Sequence, residues 1–326
     1  MGDGSVDLEA AVEAVRAASR ACRAVQQRLV EPEALEKADK SPVTVADFAS
    51  QAIVCASLGE RLPGDPVVGE ENAAALRRDP QEDLRSAVVA TVRDELRRDV
   101  DAERVLDWID LGAADARGAR YWTLDPIDGT KGFLRGEQYA VALGLIENGE
   151  VVLGVLGCPN LPFEGGVGAL FSGLRGEVAR ERSLWDGAAP EREISVDSIT
   201  SAADGRLCES VESGHSNQEQ SARVAEALGI RAQPYRIDSQ CKYAAVARND
   251  ASIYLRMPAR ADYHEKIWDH AAGKLIVESA GGRVTDVAGR PLDFTRGRTL
   301  ADNQGVVATN GAIHDEVIEA VGRARQ

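Results

Sequence analysis

The chain has 326 residues, enough for one large domain or two ordinary ones, and a formal net charge of −15 at pH 7. So large an excess of acid argues against nucleic acid or an anionic membrane as the partner, and no apolar run approaches the length of a membrane span. Five cysteines without a CxxC pair, and a first segment without the basic and apolar regions of a secretory signal, predict free thiols and a cytoplasmic location, or an organelle if a transit segment is missing.

Helices and an antiparallel sheet are predicted in the first half of the chain. The helical segments are 6–29, 45–62 and a charged insert at 73–104. Strands are expected at 139–146 and 151–157, because Asn148-Gly149 between them accepts the positive φ angles of a tight hairpin turn. A further hairpin is predicted near 173–176. This half is therefore expected to be α+β.

After about residue 190 the pattern alternates between strand and helix. The predicted elements are a strand at 207–211, a helix at 217–228, a strand at 234–237, a helix at 239–248, a strand at 252–255, a helix around Trp268, a strand at 305–309 and a helix at 313–323. Such alternation is typical of α/β layering. We divide the chain into an N-terminal α+β domain, 1–165, and a C-terminal α/β domain, 166–326.

The most informative segment is Trp122–Phe133, WTLDPIDGTKGF, in which two carboxylates follow an apolar run. The apolar run is predicted to end a buried strand, and Pro126 and Gly129 to turn the chain so that Asp125 and Asp128 point into one space. Two such groups repel each other unless a cation lies between them, and carboxylate oxygens favour Mg²⁺ or Mn²⁺ over zinc. The alternative is a turn in which both carboxylates only accept hydrogen bonds from local backbone amides.

Two more acidic segments lie where a metal site would need them. A short predicted strand stops just before Glu70, whereas Glu71 is expected in a solvated loop. Further along, a predicted helix opens at Glu265 and carries Asp269 in its first turn, where an aspartate is most often a helix cap. The neighbouring His270 is assigned a structural role.

Polar and basic residues of a second kind occur in the C-terminal half. Gly214 and His215 lie in a predicted strand-to-helix turn, where glycine allows a ligand to approach closely; the alternative is a serine-capped turn. Ser239 and Lys242 are expected one helical turn apart on one face, and Arg256 at a strand end. Taken singly, each of these is more often a surface residue than a ligand.

Whole motifs, in order, resemble the magnesium-dependent, lithium-sensitive phosphatases of the inositol monophosphatase superfamily. The motifs are Ser41–Asp47 (SPVTVAD), Gly69–Glu71 (GEE), Trp122–Phe133 and Trp268–Gly273 (WDHAAG) followed by a Gly-Gly pair. Within the superfamily the sequence is most similar to the 3′(2′),5′-bisphosphate nucleotidases, over about residues 37–308. The resemblance implies an inositol monophosphatase-like αβαβα layered sandwich with the site between the two halves.

The resemblance also implies a role for each matching residue. Mg²⁺ ions, two or three per site, would be held by four carboxylates and one backbone carbonyl: Glu70, Asp125, Asp128, Asp269 and Ile127. Asp47 and Thr130 would orient and deprotonate the attacking water. The adenosine and its second phosphate would be bound by five residues: Gly214, His215, Ser239, Lys242 and Arg256.

Hydrolysis of a phosphate ester needs its developing negative charge neutralised and a water made nucleophilic, and clustered Mg²⁺ ions do both. The resemblance implies a monomeric hydrolase that converts adenosine 3′,5′-bisphosphate to AMP and phosphate, with the sulfated relative 3′-phosphoadenosine 5′-phosphosulfate of sulfur metabolism as a further candidate substrate. The alternatives are an inositol (poly)phosphate 1-phosphatase and a non-catalytic nucleotide or metal sensor of the same fold. Asp47 and Thr130 favour an enzyme, because a protein that only binds has no need of a pair that activates water.

Overall fold

The computed structural model describes residues 4–29, 42–78, 81–211, 218–258 and 263–325. Gly214 and His215, which the sequence assigns to substrate binding, lie outside these residues. Among the described helices, none combines the length and the apolar character needed to cross a membrane.

Helices of the first half pack on one another and on a sheet. They are α1 (Gly4–Leu29), α2 (Pro42–Arg61), α3 (Glu82–Leu96), α4 (Ala102–Asp110) and the short α5 (Thr130–Leu134). The first two confirm the predicted helices at 6–29 and 45–62. The charged insert forms α3 and α4 instead of one helix, because the Asp101 carboxylate accepts a hydrogen bond from the Arg104 amide at 2.7 Å and so caps a new helix.

Within the described residues, the first sheet has seven strands that follow one another in chain order: β1 (Val67–Gly69), β2 (Arg120–Asp128), β3 (Ala140–Glu147), β4 (Glu150–Phe163), β5 (Gly166–Leu174), β6 (Arg180–Ser183) and β7 (Arg192–Glu193). β1 and β2 are parallel, and each later pair is antiparallel. The predicted hairpin joins β3 to β4 with φ angles of 51° at Asn148 and 81° at Gly149. The domain boundary predicted at residue 165 falls at the β4–β5 hairpin, inside this sheet, and the division into two domains stays a prediction.

The second sheet has five strands: β8 (Leu207–Glu209), β9 (Tyr235–Arg236), β10 (Ile253–Arg256), β11 (Arg283–Thr285) and β12 (Val306–Thr309). Its order is β11-β12-β10-β8-β9, with β8 parallel to both β9 and β10. The helices of this half are α6 (Gln218–Ala227), α7 (Cys241–Ala247), α8 (Ala271–Ser279) and α9 (His314–Ala324). β11 is the strand of this sheet that the sequence did not predict.

Five layers result from this arrangement. α1 and α2 cover one face of the first sheet, α7 and α8 lie between its other face and the second sheet, and α6 and α9 cover the outer face of the second sheet. The layers confirm the predicted αβαβα order. Gly154 on β4 allows α8 to approach closely, since a Cβ there would lie 2.6 Å from the Ala272 carbonyl oxygen. The turn before α8 consequently packs against β2.

Candidate active site

Four predicted metal-binding carboxylates converge at one edge of the first sheet. β1 and β2 are parallel neighbours, so their carboxyl ends meet there. Glu70 follows β1 directly, and Asp125 and Asp128 lie at the end of β2. Asp269 reaches the same place from a short 3₁₀ helix, Ile267–Asp269. These four residues, the carboxylate wall, line one cavity of about 390 Å³.

The strand that carries Asp125 and Asp128 is longer than predicted. β2 does not turn after Leu124 but continues to Asp128, and its register with β3 shifts between Asp125 and Asp128. Residues three apart in a regular strand point to opposite faces, so the irregularity is what allows both carboxylates to face the cavity. Gly129 then turns the chain at φ 93°, where a Cβ would lie 2.8 Å from the Ser239 Cβ.

Asp125 makes the local contact of the turn alternative and also lines the cavity. Its Oδ1 accepts a hydrogen bond from the Ile127 amide at 3.1 Å, which is the local contact of an Asx turn. Burial and the charges of Glu70 and Asp128 also raise its pKa well above the usual range, so the carboxyl group faces other acids. The contact of Asp128 is not local, because its Oδ2 accepts from the Gln240 amide at 2.6 Å.

Asp269 does not cap the helix that follows it. α8 begins at Ala271, its N-cap residue is His270, and the His270 side chain makes no capping hydrogen bond. The helix-cap alternative is therefore wrong, as is the placement of Asp269 inside the first helical turn. Its carboxylate lines the cavity and lies 3.3 Å from Arg256 Nη2.

Burial, together with repulsion between neighbouring acids, raises the pKa of several acids at this edge. Burial, with Glu71 and Glu70, raises the pKa of Asp47 to about 9. Burial, with Glu71 and Asp128, raises that of Glu70 to about 7, and burial raises that of Asp269 to about 6. A hard cation would compensate the negative charge that gathers here, and the carboxylate oxygens are donors that fit Mg²⁺.

A buried glutamine that the sequence analysis missed holds the segment next to Glu70. Gln51 Nε2 donates to the Glu71 carbonyl at 2.7 Å, and its Oε1 accepts from the Glu71 amide at 3.0 Å. The side chain is fully buried, one helical turn after Asp47 on α2. A polar residue at a core position of an otherwise apolar helix face is the signal that could have found it.

A second buried glutamine, also missed, holds the segment that carries Asp269. Gln240 Nε2 donates to the Trp268 carbonyl at 2.8 Å, and its Oε1 accepts from the Gly273 amide at 3.1 Å. Since the Gln240 amide also binds Asp128, this residue connects acids from both halves of the chain.

The two residues predicted to activate water flank the carboxylate wall. Thr130 is the first residue of α5, lines the cavity and is exposed. Asp47 lies on α2, half-buried, with Glu70 and Glu71 as its nearest charged neighbours. Their role as a pair stays a prediction.

A second set of residues lines the same cavity and is called the cationic wall here: Ser239, Lys242 and Arg256. Lys242 is 5% exposed, and burial lowers its pKa. Its Nζ lies 5.4 Å from the centre of the Tyr254 ring, and Asp128 is its strongest attractive charge. Since a buried cation is stabilised by an anion, this wall suits a negatively charged group.

The backbone of Ser239 adopts a conformation that favours glycine. Its φ is 65°, and its Oγ accepts from the Cys241 amide at 3.2 Å. Such a residue in the left-handed region persists only where its surroundings require it, and these positions concentrate at functional sites. The turn places Ser239 beside Lys242, whose amide donates to the Ser239 carbonyl at 3.2 Å.

Comparison with known proteins gives one consistent family. The sequence model of the inositol monophosphatase family matches residues 5–326. The chain is 46% identical over 316 residues to the 3′(2′),5′-bisphosphate nucleotidase of Emericella nidulans, which covers 88% of this chain and 89% of that protein. It is 44% identical over 332 residues to the protein of the same name in Schizosaccharomyces pombe. This match covers 96% of this chain and 94% of the relative. Among solved structures, the inositol monophosphatase from Anabaena matches this chain with a TM-score of 0.63. The match covers 99% of this chain and 97% of that one, and the sequences are 22% identical, so it shows a likeness in fold alone.

Proposed function

We propose that this chain, which belongs to the inositol monophosphatase family, is a Mg²⁺-dependent 3′(2′),5′-bisphosphate nucleotidase that converts adenosine 3′,5′-bisphosphate to AMP and phosphate. The observation that carries the substrate assignment is one cavity with a carboxylate wall and a separate cationic wall. Hydrolysis of a simple monoester needs only the first wall. A second set of cations suits a substrate with a second phosphate, because charge-assisted contacts form only when that group is present.

Mg²⁺ would be held by the carboxylate wall together with the backbone carbonyl of Ile127. When bound, two or three Mg²⁺ ions would neutralise charge developing on the phosphate and lower the pKa of a water. The donor set supports this assignment, because burial and the charge of Asp128 both raise the pKa values of Glu70, Asp125 and Asp269.

Asp47 and Thr130 would handle the attacking water. The Thr130 hydroxyl would orient the water, and the Asp47 carboxylate would take its proton. Burial and the neighbouring Glu71 raise the pKa of Asp47 to about 9, so it could take this proton only after bound Mg²⁺ had returned it to the carboxylate form.

The cationic wall would hold the 5′-phosphate of the nucleotide. Lys242 and Arg256 would supply the charge and Ser239 a hydroxyl, and all three line the cavity. Gly214 and His215, outside the described residues, are assigned to the same nucleotide. Hydrolysis of 3′-phosphoadenosine 5′-phosphosulfate, inhibition by Li⁺, a monomeric state and a cytoplasmic location are further parts of this proposal.

The test is phosphate release by the purified protein in Mg²⁺ from a panel of adenosine 3′,5′-bisphosphate, inositol 1-phosphate, an inositol bisphosphate and fructose 1,6-bisphosphate. We expect the nucleotide to give the highest kcat/KM, and chromatography to identify the product as AMP instead of adenosine 3′-phosphate. Preference for an inositol phosphate would instead establish the inositol phosphatase alternative. Binding of the nucleotide without phosphate release from any substrate would establish the sensor.

A further inference from the structure

Glu265 lies behind the cationic wall and is not among the residues predicted to bind substrate or metal. It is 3% exposed and forms part of the segment that leads into the Asp269 turn. One of its oxygens, Oε2, lies 2.8 Å from Arg256 Nη2 and 3.1 Å from His270 Nε2. Although burial would raise its pKa, Arg256 and His270 lower it to about 2, so Glu265 is a carboxylate at neutral pH.

His270 and Tyr243 extend this contact into the layer between the two sheets. The Tyr243 hydroxyl lies 2.7 Å from His270 Nδ1, and both side chains are fully buried. A hydroxyl that donates to Nδ1 leaves the hydrogen on Nε2, which then donates to Glu265. Tyr243 itself is fixed by packing, since a Cβ at Gly273 would lie 2.2 Å from its Cδ2. The three side chains form a rigid support.

Arg256 is the group that this support holds. The same atom, Nη2, lies 2.8 Å from Glu265 Oε2 and 3.3 Å from Asp269 Oδ2. The guanidinium is therefore shared between a carboxylate outside the cavity and one that lines it. Without the pull of Glu265, Asp269 would be the nearest anion, and Arg256 would move toward it and away from the position where it can meet a phosphate.

We propose that Glu265, supported by His270 and Tyr243, is a positioning residue that keeps Arg256 available to the 5′-phosphate of the substrate. The inference rests on the proposed function and adds a determinant of its substrate preference. Glu265 acts through Arg256 and does not itself touch the substrate. Its effect is therefore confined to substrates that carry the second phosphate.

The test compares two substrates that share the reacting 3′-phosphate and differ in the 5′-phosphate: adenosine 3′,5′-bisphosphate and adenosine 3′-phosphate, both at saturating Mg²⁺. In Glu265→Gln, we expect KM for the bisphosphate to rise about tenfold, with kcat little changed and adenosine 3′-phosphate barely affected. In an Arg256→Ala background the same substitution should cause no further rise, because its effect passes through Arg256.

Glu181→Gln is the matched control. Glu181 is also fully buried and bound by two arginines, Arg192 Nε at 2.8 Å and Arg248 Nη1 at 3.0 Å, but it does not line the cavity. It should leave the ratio of kcat/KM between the two substrates unchanged, even if both substitutions lower the melting temperature. Equal losses on both substrates in Glu265→Gln, or a full further loss in the Arg256→Ala background, would overturn the proposal.

Tyr243→Phe answers the question if Glu265→Gln does not fold. It removes one hydroxyl from the support and keeps the ring, so KM for the bisphosphate should rise roughly threefold with adenosine 3′-phosphate unaffected. An unchanged KM would overturn the proposal. A wild-type protein that does not favour the bisphosphate would instead contradict the proposed function, which separates the two failures.

Discussion

The carboxylate wall of the cavity gathers like charges, whereas the cationic wall surrounds its charges with compensating groups. Asp125 and Glu70 have raised pKa values because each is buried and lies among other acids. Arg256 has a raised pKa for the opposite reason: Glu265 and Asp269 outweigh the effect of burial. The first wall therefore needs a cation before it can act, while the second is already positioned. Damage to the carboxylate wall should stop turnover of every substrate, and damage to the cationic wall should change only the preference among substrates.

The largest effect is expected from Asp128→Asn. The amide keeps the shape of the side chain and can still accept from the Gln240 amide, but it loses the charge that a Mg²⁺ ion would need. We expect turnover of every substrate to fall roughly a thousandfold, or about 4 kcal/mol. Steady-state assays with an unchanged far-UV circular dichroism spectrum would establish this. Near-normal turnover would remove Asp128 from the metal site.

Thr130→Val should lower turnover by about a hundredfold, on both nucleotide substrates alike. Valine has nearly the same shape but lacks the hydroxyl assigned to the attacking water, and Thr130 is not a predicted metal ligand. The stabilisation of the variant by Mg²⁺ should therefore match that of the wild type. Wild-type kcat in this variant would exclude Thr130 from the mechanism.

Lys242→Ala tests the other wall, where the effect should depend on the substrate. We expect kcat/KM for adenosine 3′,5′-bisphosphate to fall about tenfold or more, since a hydrogen bond to a charged group contributes roughly 1.5 to 3 kcal/mol. Adenosine 3′-phosphate should be hydrolysed almost as before. Lys274→Ala is the control, because Lys274 pairs with Glu278 on α8 and does not line the cavity. Equal losses on both substrates would contradict the specificity role of the cationic wall.

The two walls also differ in how far the sequence could predict them. Asp125 and Asp128 lie within one motif after an apolar strand, so local pattern was enough to bring them together. The register shift in β2 that lets both carboxylates face the cavity could not be predicted, because Pro126 is typical of a turn and here lies within a strand. The support of Arg256 could not be predicted either. Glu265 and His270 belong to one segment, but Tyr243 comes from α7 and meets His270 only through the packing of α7 against α8.

The same distinction holds for the fold. Helices with a regular apolar face, such as α1 and α2, and the hairpin at Asn148-Gly149 follow from local spacing and turn chemistry. Short strands such as β11 were missed, since three residues carry too little periodicity and the strand is defined by its pairing with β12. The charged insert was placed correctly as helical but not divided at the Asp101 cap.

The smallest expected effect is on stability, and it distinguishes the carboxylate wall by its dependence on pH. The folded-state pKa values of Asp47, Glu70 and Asp269 are raised to about 9, 7 and 6, so the stability linked to their protonation is present below about pH 4 and is lost as the pH rises through those values. In EDTA the melting temperature should therefore fall between pH 6.5 and 9. Mg²⁺ competes with protons for the same oxygens, so the rise in melting temperature that Mg²⁺ causes should grow with pH over that range, reaching on the order of 5 °C at saturating concentration.

The series begins at pH 6.5 because of His314, whose pKa burial lowers to about 4. This histidine destabilises the protein as the pH falls below the usual pKa of a histidine. Differential scanning calorimetry of the wild type and Asp128→Asn would measure the effect, and the variant should lose most of the Mg²⁺-dependent rise. A rise in melting temperature that is the same at pH 6.5 and pH 9 would mean that Mg²⁺ does not bind at these acids.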